Sequence, residues 1–314
     1  MKIIFFGLGS IGKRHLRLLR ESGGHEIYAL RSKLGDALEE NLGVTCFSSW
    51  KEVDKVQPQV AFITNPTALH VSTAIECARR GMAIFMEKPV ADSLAGIKEL
   101  KALVKEKNLV TYVAYVLRFH PVITKLRDLI AGREIFHARC VASSYLPLWR
   151  PGRDHLKSYS ANRVLGGGVI TDLSHEIDYM SWLLGGVLRV GGQYGRRSDV
   201  TVDTEDYADI LLECARGPVN IHIDFLSQQS RREITIDCRD VTFLGDIIGQ
   251  TVKVFRGHKL EEEISCITGP DDIFRIQIKY FFGHLEEREM MNNIFEASGL
   301  MEKVLAWRSS YAPA

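Results

Sequence analysis

Several things this sequence lacks narrow it before any motif is read. It lacks an excess of either charge: 40 lysines and arginines stand against 39 aspartates and glutamates, a net +1 at pH 7. Such a chain has no overall electrostatic pull towards nucleic acid or an anionic membrane. No apolar run approaches the length that spans a bilayer. Met1 leads directly into a strand-like run, with no charged segment ahead of a cleavable apolar one, so no signal peptide is expected. The six cysteines (Cys46, Cys77, Cys140, Cys214, Cys238 and Cys266) form no C-x-x-C pair and no close cluster. Several sit in apolar or strand-like surroundings, as buried thiols do. A reduced, cytoplasmic protein without structural metal is the plain expectation. There is no internal repeat and no low-complexity segment.

What is present is an ordinary globular composition, 46% hydrophobic and 25% charged. At 314 residues the chain exceeds the size at which one core usually stops growing, so two domains are expected. The clearest signal is at the start. Ile3, Ile4, Phe5 and Phe6 form a continuous apolar run, the pattern of a strand buried on both faces. It passes into Gly7-Leu8-Gly9-Ser10-Ile11-Gly12 and then into a helical pattern with Ile11, Leu16 and Leu19 on one side. In a G-x-G-x-x-G turn between strand and helix, the first glycine allows the tight turn. The second lets the backbone approach a pyrophosphate, and the third lets helix and strand pack closely. The unpaired N–H groups and dipole of the helix N-terminus favour the same anion. A dinucleotide site is the reading.

The helix stops at Gly23-Gly24, and Glu26–Leu30 reads as the second strand. There, about 20 residues past the fingerprint, the adenosine ribose is read, and an acid would select NAD. This chain offers Arg31, Ser32 and Lys33 instead. Two cations and a hydroxyl suit a 2′-phosphate, which favours NADP while leaving NAD open. The bland alternative is that these are solvated loop charges. Strands and helices then alternate through Gln59–Thr64, the helix carrying His70, Val71, Ala74 and Ile75, the strand Ala83–Met86, a helix with Ile97, Leu100 and Leu103, and Leu109–Val116. Repeated βα units with short turns imply a doubly wound parallel sheet, an α/β Rossmann domain over residues 1–118. Ligands bind beyond the C-terminal ends of such strands. That places the glycine loop, the Thr64-Asn65-Pro66 turn with His70, and Glu87-Lys88-Pro89 on one rim. Lys88 is then either an ammonium able to polarise a carbonyl oxygen beside the nicotinamide or an ordinary loop lysine.

From Glu134 the pattern changes to long β-like runs: 136–145, 189–196, 207–214, 219–226, 233–237, 241–244 and 251–255. Strands following a block of βα units indicate a separate α+β domain, residues 119–314, with a large, mostly antiparallel open sheet. Among them lies Gly166–Gly185. At about 100° per residue, Leu173, Ile177, Met180 and Leu184 fall on one helical stripe, the expected core face. Asp172, His175 and Tyr179 cluster beside it, with Asp178 on the other side of His175. A carboxylate near an imidazole can fix its tautomer and raise its basicity, which suits removal of a hydroxyl proton. The same helix could equally be structural. Upstream, Trp149, Arg150, Arg153 and Tyr159 lie in a loop rich in cations: either a solvated surface loop or a flap that binds a carboxylate, a phosphate or a sugar face. Phe274–Leu285 and Leu300–Trp307 read as two closing helices.

Gly7-x-Gly9-x-x-Gly12, Thr64-Asn65-Pro66-x-x-x-His70, Glu87-Lys88-Pro89 and Tyr115-x-x-Arg118-Phe119-x-Pro121, in this order, resemble the glucose–fructose oxidoreductase, inositol dehydrogenase and rhizopine-catabolism (Gfo/Idh/MocA) family. The resemblance implies an NAD(P)-dependent dehydrogenase or reductase acting on a small sugar-type substrate, with neither nucleic acid nor membrane as partner. It implies that Lys88 stands near the reacting carbon and that Glu87 contacts the nicotinamide ribose. It also implies that His175 and Asp172 form the proton-transfer set, with Arg118 at the substrate. A homodimer or homotetramer and closing helices packed on the second sheet are further expectations from it. The family also contains non-catalytic NAD(P)-binding regulators and reductases of non-sugar carbonyls or imines. Two departures stand out. Val116 replaces the asparagine that many members carry, and Asp172 lies three residues before the histidine where four is usual. Thr171 therefore competes for the aspartate's place.

Overall fold

The computed structural model describes residues 1–31, 43–149, 152, 154–200, 203–287 and 290–311. The chain forms two compact units, Met1–Ala114 with Phe274–Gly299, and Tyr115–Ile273 with Leu300–Ala314.

The first unit opens with β1 (Lys2–Phe6), α1 (Ser10–Ser22), β2 (Glu26–Leu30), β3 (Thr45–Phe47), α2 (Trp50–Val56) and β4 (Val60–Ile63). It continues with α3 (His70–Arg79), β5 (Ala83–Met86), α4 (Ile97–Glu106) and β6 (Thr111–Val113). The strands form one sheet in the order β3-β2-β1-β4-β5-β6, every pair parallel. This is the doubly wound order, whose switch point lies between β1 and β4. Ile3, Ile4 and Phe5 on β1 and every residue of β4 are fully buried, as strands covered on both faces must be. Local chemistry sets the helix ends. Ser49 and Glu52 form a reciprocal capping box at the start of α2. The N–H of Gly23, at φ 70°, returns to the Arg20 carbonyl to close α1.

The second unit contains α5 (Pro121–Leu129), β7 (Ile135–Ser143), α6 (Val169–Asp172), α7 (Ser174–Leu183), β8 (Val187–Gly195), β9 (Tyr207–Cys214) and β10 (Gly217–Asp224). Then come β11 (Arg231–Cys238), β12 (Thr242–Asp246), β13 (Thr251–Arg256) and β14 (Lys259–Ser265). Their order is β14-β13-β12-β11-β7-β10-β9-β8, with β7 and β10 parallel and the other described pairs antiparallel. Side chains alternate along 219–223 of β10, where Val219, Ile221 and Ile223 are buried and Asn220 and His222 are not. Two expectations need amending here. The edge strand β14 escaped notice because Lys-Leu-Glu-Glu-Glu-Ile-Ser is almost wholly exposed and has no apolar face. The helix expected across Gly166–Gly185 is two helices, broken at Leu173.

The chain ends with α8 (Asp272–Gly283) and α9 (Ile294–Ser310). The expectation that both closing helices pack on the second sheet is corrected for α8, which belongs almost entirely to the first unit. The Phe281 ring stands edge-on to Phe62 and Phe85, with centroids 6.1 and 5.4 Å away, and Gln277 donates to the Tyr112 hydroxyl at 3.1 Å. The aromatic residues of β4, β5 and β6 need an apolar cover, and the phenylalanines of α8 supply it. Periodicity identifies a helix's apolar face without saying which core it meets. Among the described residues, no helix is long and apolar enough to cross a membrane.

Candidate active site

In the first unit, main-chain bonds bring the rim turns together. The Thr64 N–H donates to the Phe6 carbonyl at 2.9 Å, and the Thr64 hydroxyl donates to the Gly7 carbonyl at 2.5 Å. The Glu87 N–H donates to Ile63 at 2.8 Å. The strand ends carrying the glycine loop, Thr64-Asn65-Pro66 and Glu87-Lys88-Pro89 are thus laced side by side. The loop itself has the shape a pyrophosphate needs. Gly7 adopts φ +98°, and a Cβ there would meet Asn65 backbone atoms at 2.7 Å. A Cβ on Gly12 would lie 2.4 Å from the Gly7 carbonyl oxygen. At Gly9 a Cβ would meet nothing within 4 Å. Gly7 and Gly12 are therefore closed by the protein, whereas Gly9 opens outward beside the exposed Ser10. No side chain caps α1, and its first turn holds no acid, so its N–H groups and dipole favour an incoming anion. The loop fits a dinucleotide phosphate.

Other expected cofactor residues divide between contact positions and supports. Leu8 and Ile11 flank the loop, half-buried. Arg31 follows β2, its N–H bonded to the Phe47 carbonyl at 2.9 Å; Ser32 and Lys33 lie outside the described residues. His70 is buried, with Nδ1 2.8 Å from the Pro89 carbonyl oxygen and Nε2 2.9 Å from that of Asn65. Burial pushes its pKa down, although both carbonyls and Glu87 work the other way. Both of its nitrogens are engaged with protein carbonyls, so its geometry makes it a support for the rim. Sequence reasoning passed over His15, three residues after Gly12. It is fully buried, and its Nε2 lies 2.7 Å from Glu87 Oε1. A polar residue on the covered side of a glycine-loop helix was the only available signal.

In the second unit, α7 is covered on nearly every side, with His175 and Trp182 as its half-buried residues. Its polar residues are held from elsewhere in the unit. Arg118 donates from Nε and Nη2 to the two Asp178 oxygens at 2.8 and 2.7 Å, both side chains almost wholly buried. Glu176 accepts from Arg232 Nε at 2.7 Å. Burial works against the Arg232 charge, but Glu176 outweighs it and raises the pKa. The Tyr179 hydroxyl is 3.1 Å from Cys140 Sγ and donates to Glu176 Oε1 at 3.2 Å. Burial, first of all, raises the pKa of both Tyr179 and Cys140. Tyr179 thus faces the sheet and does not share the half-exposed setting of Asp172 and His175, and Arg118 is committed to Asp178.

His175 keeps the half-exposed setting, with the Tyr115 ring edge-on at 5.7 Å. Burial raises the Tyr115 pKa, and Asp178 adds to it, so the phenol stays protonated. Asp172, the last residue of α6, is also half-buried. Thr171 is fully buried, its hydroxyl donating to the Gly168 carbonyl at 3.0 Å. Of the two rivals for the family's aspartate, Asp172 has the more accessible side chain. Trp149 and Tyr159 bond within the second unit, to the Ser144 hydroxyl at 2.8 Å and the Gly166 carbonyl at 3.0 Å. Arg150 and Arg153 lie outside the described residues.

A glycine cradle on a sheet of this order, followed by an eight-stranded α+β unit, is the build of a dinucleotide-binding Rossmann domain joined to an α+β domain. Residues 1–115 match the oxidoreductase family model with an NAD-binding Rossmann fold, and residues 123–243 match the Gfo/Idh/MocA C-terminal domain. The chain belongs to the Gfo/Idh/MocA family. It is 27% identical over 184 residues to the rhizopine catabolism protein MocA of Rhizobium meliloti, covering 57% of this chain and 56% of that protein. It is 22% identical over 238 residues to the myo-inositol 2-dehydrogenase of Thermotoga maritima, covering 70% and 67%. The chain thus spans little more than half to two thirds of the length of these curated relatives. Among solved structures, a levoglucosan dehydrogenase in complex with NADH and levoglucosan shares the fold, with a TM-score of 0.85 at 17% identity over 99% of this chain and 97% of that one.

Proposed function

We propose that this chain is an NADP-preferring oxidoreductase acting on a hydroxyl or keto carbon of a polyhydroxylated, sugar-type substrate. The cofactor would rest on the Gly7–Gly12 loop, with Arg31, Ser32 and Lys33 about its ribose 2′-phosphate and Glu87 at its other ribose. The nicotinamide, when bound, supplies hydride transfer, and the protein supplies binding, orientation and charge. The Lys88 ammonium steadies the negative charge that develops on the substrate oxygen. His175 takes the hydroxyl proton in the oxidative direction and returns it in the reductive one. Asp172 orients the imidazole. Relatives named for inositol and levoglucosan support the polyol class.

One observation carries the reading. Lys88 follows β5 on the same laced rim as the glycine cradle, one residue after the carboxylate that His15 holds. Lys88→Met should lower turnover on a panel of polyols, sugar acids and nucleotide sugars by about 10²–10³-fold. NADP and NAD affinity, measured by titration, should change far less. Equal turnover by the two proteins would remove Lys88 from the mechanism. Tighter binding of NAD than of NADP would reverse the cofactor preference.

A further inference from the structure

Two buried histidines meet the Glu87-Lys88-Pro89 turn from different helices. His15, on α1, is fully buried and puts Nε2 2.7 Å from Glu87 Oε1. Its ring is packed against Phe85 and Phe274, at 5.1 and 5.7 Å between centroids, and tilted on Phe62 at 6.0 Å. Its Nδ1 is buried and makes no hydrogen bond. A carboxylate only accepts, so the ring nitrogen that faces it, Nε2, is the donor of this bond. The second Glu87 oxygen accepts the Lys88 N–H at 3.2 Å. At the other end of the turn, His70, which opens α3, sets Nδ1 2.8 Å from the Pro89 carbonyl and Nε2 2.9 Å from the Asn65 carbonyl.

We infer that His15 and His70 are positioning residues that clasp the Glu87-Lys88-Pro89 turn and thereby set where the Lys88 ammonium stands relative to the glycine cradle. The inference rests on the reading of Lys88 given under Proposed function. A ring that only filled space would place no nitrogen 2.7 Å from a carboxylate. Glu87 is itself 9% exposed, and without His15 it would lose a charge-assisted bond in an apolar setting. Because His15 rides on α1, the helix that receives the pyrophosphate, the clasp ties cofactor seating to the place of the lysine. His70 ties that lysine in turn to the Thr64-Asn65-Pro66 side of the rim.

The first test uses the unaltered protein. Long-range ¹⁵N correlation spectra of its histidines, assigned with His15→Gln, should show a proton on His15 Nε2. An Nε2 without a proton overturns the clasp. The second test compares His15→Phe, which keeps a ring and loses the donor, with His15→Gln, which keeps a donor. Loss of one charge-assisted bond should weaken NADH and NADPH in the Phe variant by about tenfold. The Gln variant should stay within about threefold of the unaltered protein. The reductively ¹³C-methylated Lys88 signal should shift in the Phe variant and hold in the Gln variant. Unchanged cofactor affinity and an unmoved Lys88 signal in His15→Phe would refute the inference. If that variant does not fold, the Nε2 proton still decides. Failure of Lys88→Met to affect turnover would instead sink the Lys88 role, which neither measurement here depends on.

Discussion

Replacing Asp178 with asparagine removes one charge and almost no volume, so it isolates the Arg118–Asp178 pair. The guanidinium meets both carboxylate oxygens, at 2.8 and 2.7 Å, and the two side chains are 2% and 1% exposed. At that depth water cannot take the place of the lost carboxylate charge. Breaking such a pair from one side costs about 3–5 kcal/mol. For a unit of this size each kcal/mol lowers the melting temperature by about 2–4 °C, so Asp178→Asn should melt roughly 6–20 °C lower. Arg118→Met/Asp178→Leu, which removes both charges, should recover most of that loss, because swapping a buried pair for apolar groups is often neutral. An exposed pair provides the contrast. Arg189 and Glu213 sit 2.6 Å apart but are 83% and 51% exposed, and cutting that contact should cost about 0–1 kcal/mol. Urea and thermal melts of these variants, beside Arg118→Met alone, measure the loss and its recovery. An Asp178→Asn protein within about 1 kcal/mol of the original, or a double variant as weak as the worse single one, would refute the claim that this pair fixes α7.

The glycine loop and the second sheet give two further tests. Gly12→Ala places a Cβ 2.4 Å from a main-chain oxygen and should destabilise the protein by about 1–3 kcal/mol in thermal melts. Gly9→Ala meets nothing in the protein, so its melting temperature should hold while NADH and NADPH titrations weaken; the opposite pattern would move the cradle elsewhere. On β10, His222 lies between Asp224 at 3.0 Å and Asp209 at 2.6 Å, and the bonds from Asp224 and then Asp209, against burial, lift its pKa to about 9. A raised folded-state pKa means the imidazolium's contribution is complete below about pH 6.5 and is lost as pH climbs through about 9. Urea midpoints should therefore fall across that window, and His222→Gln should flatten the fall. For Asp224, burial acts upward, yet bonds from His222, Ser143 and the Leu226 and Ser227 N–H groups hold its pKa at about 2. Its contribution is thus lost only in strong acid.

The first unit was legible because its information is local. Parallel strands buried on both faces read as unbroken apolar runs, and Ile3–Phe6, 59–64 and Ala83–Met86 stand within a residue of the observed β1, β4 and β5. The glycine loop and Glu87-Lys88-Pro89 are contiguous motifs whose place on the rim follows from strand order alone. Strands with one wet face were legible wherever that face alternated with an apolar one, as on β9, read at its observed ends. β14 has no such face and is ordered by its neighbour β13, after a turn in which Gly257 and His258 both adopt positive φ.

The α7 reading shows where local information stops. A helical wheel assumes one covered face and one wet face, and on that assumption Asp178 and Tyr179 look available. A helix sunk against a sheet has little wet face, so each polar residue on it needs a partner inside the fold. Those partners lie far along the chain. Asp178 finds Arg118 60 residues earlier, and Glu176 finds Arg232 56 residues later. His15 and Glu87, 72 residues apart, follow the same rule in the first unit. His175 on α7 and Asp172 just before it are half-buried. In a helix this deeply covered, polar residues become informative about chemistry only after their long-range partners have been subtracted.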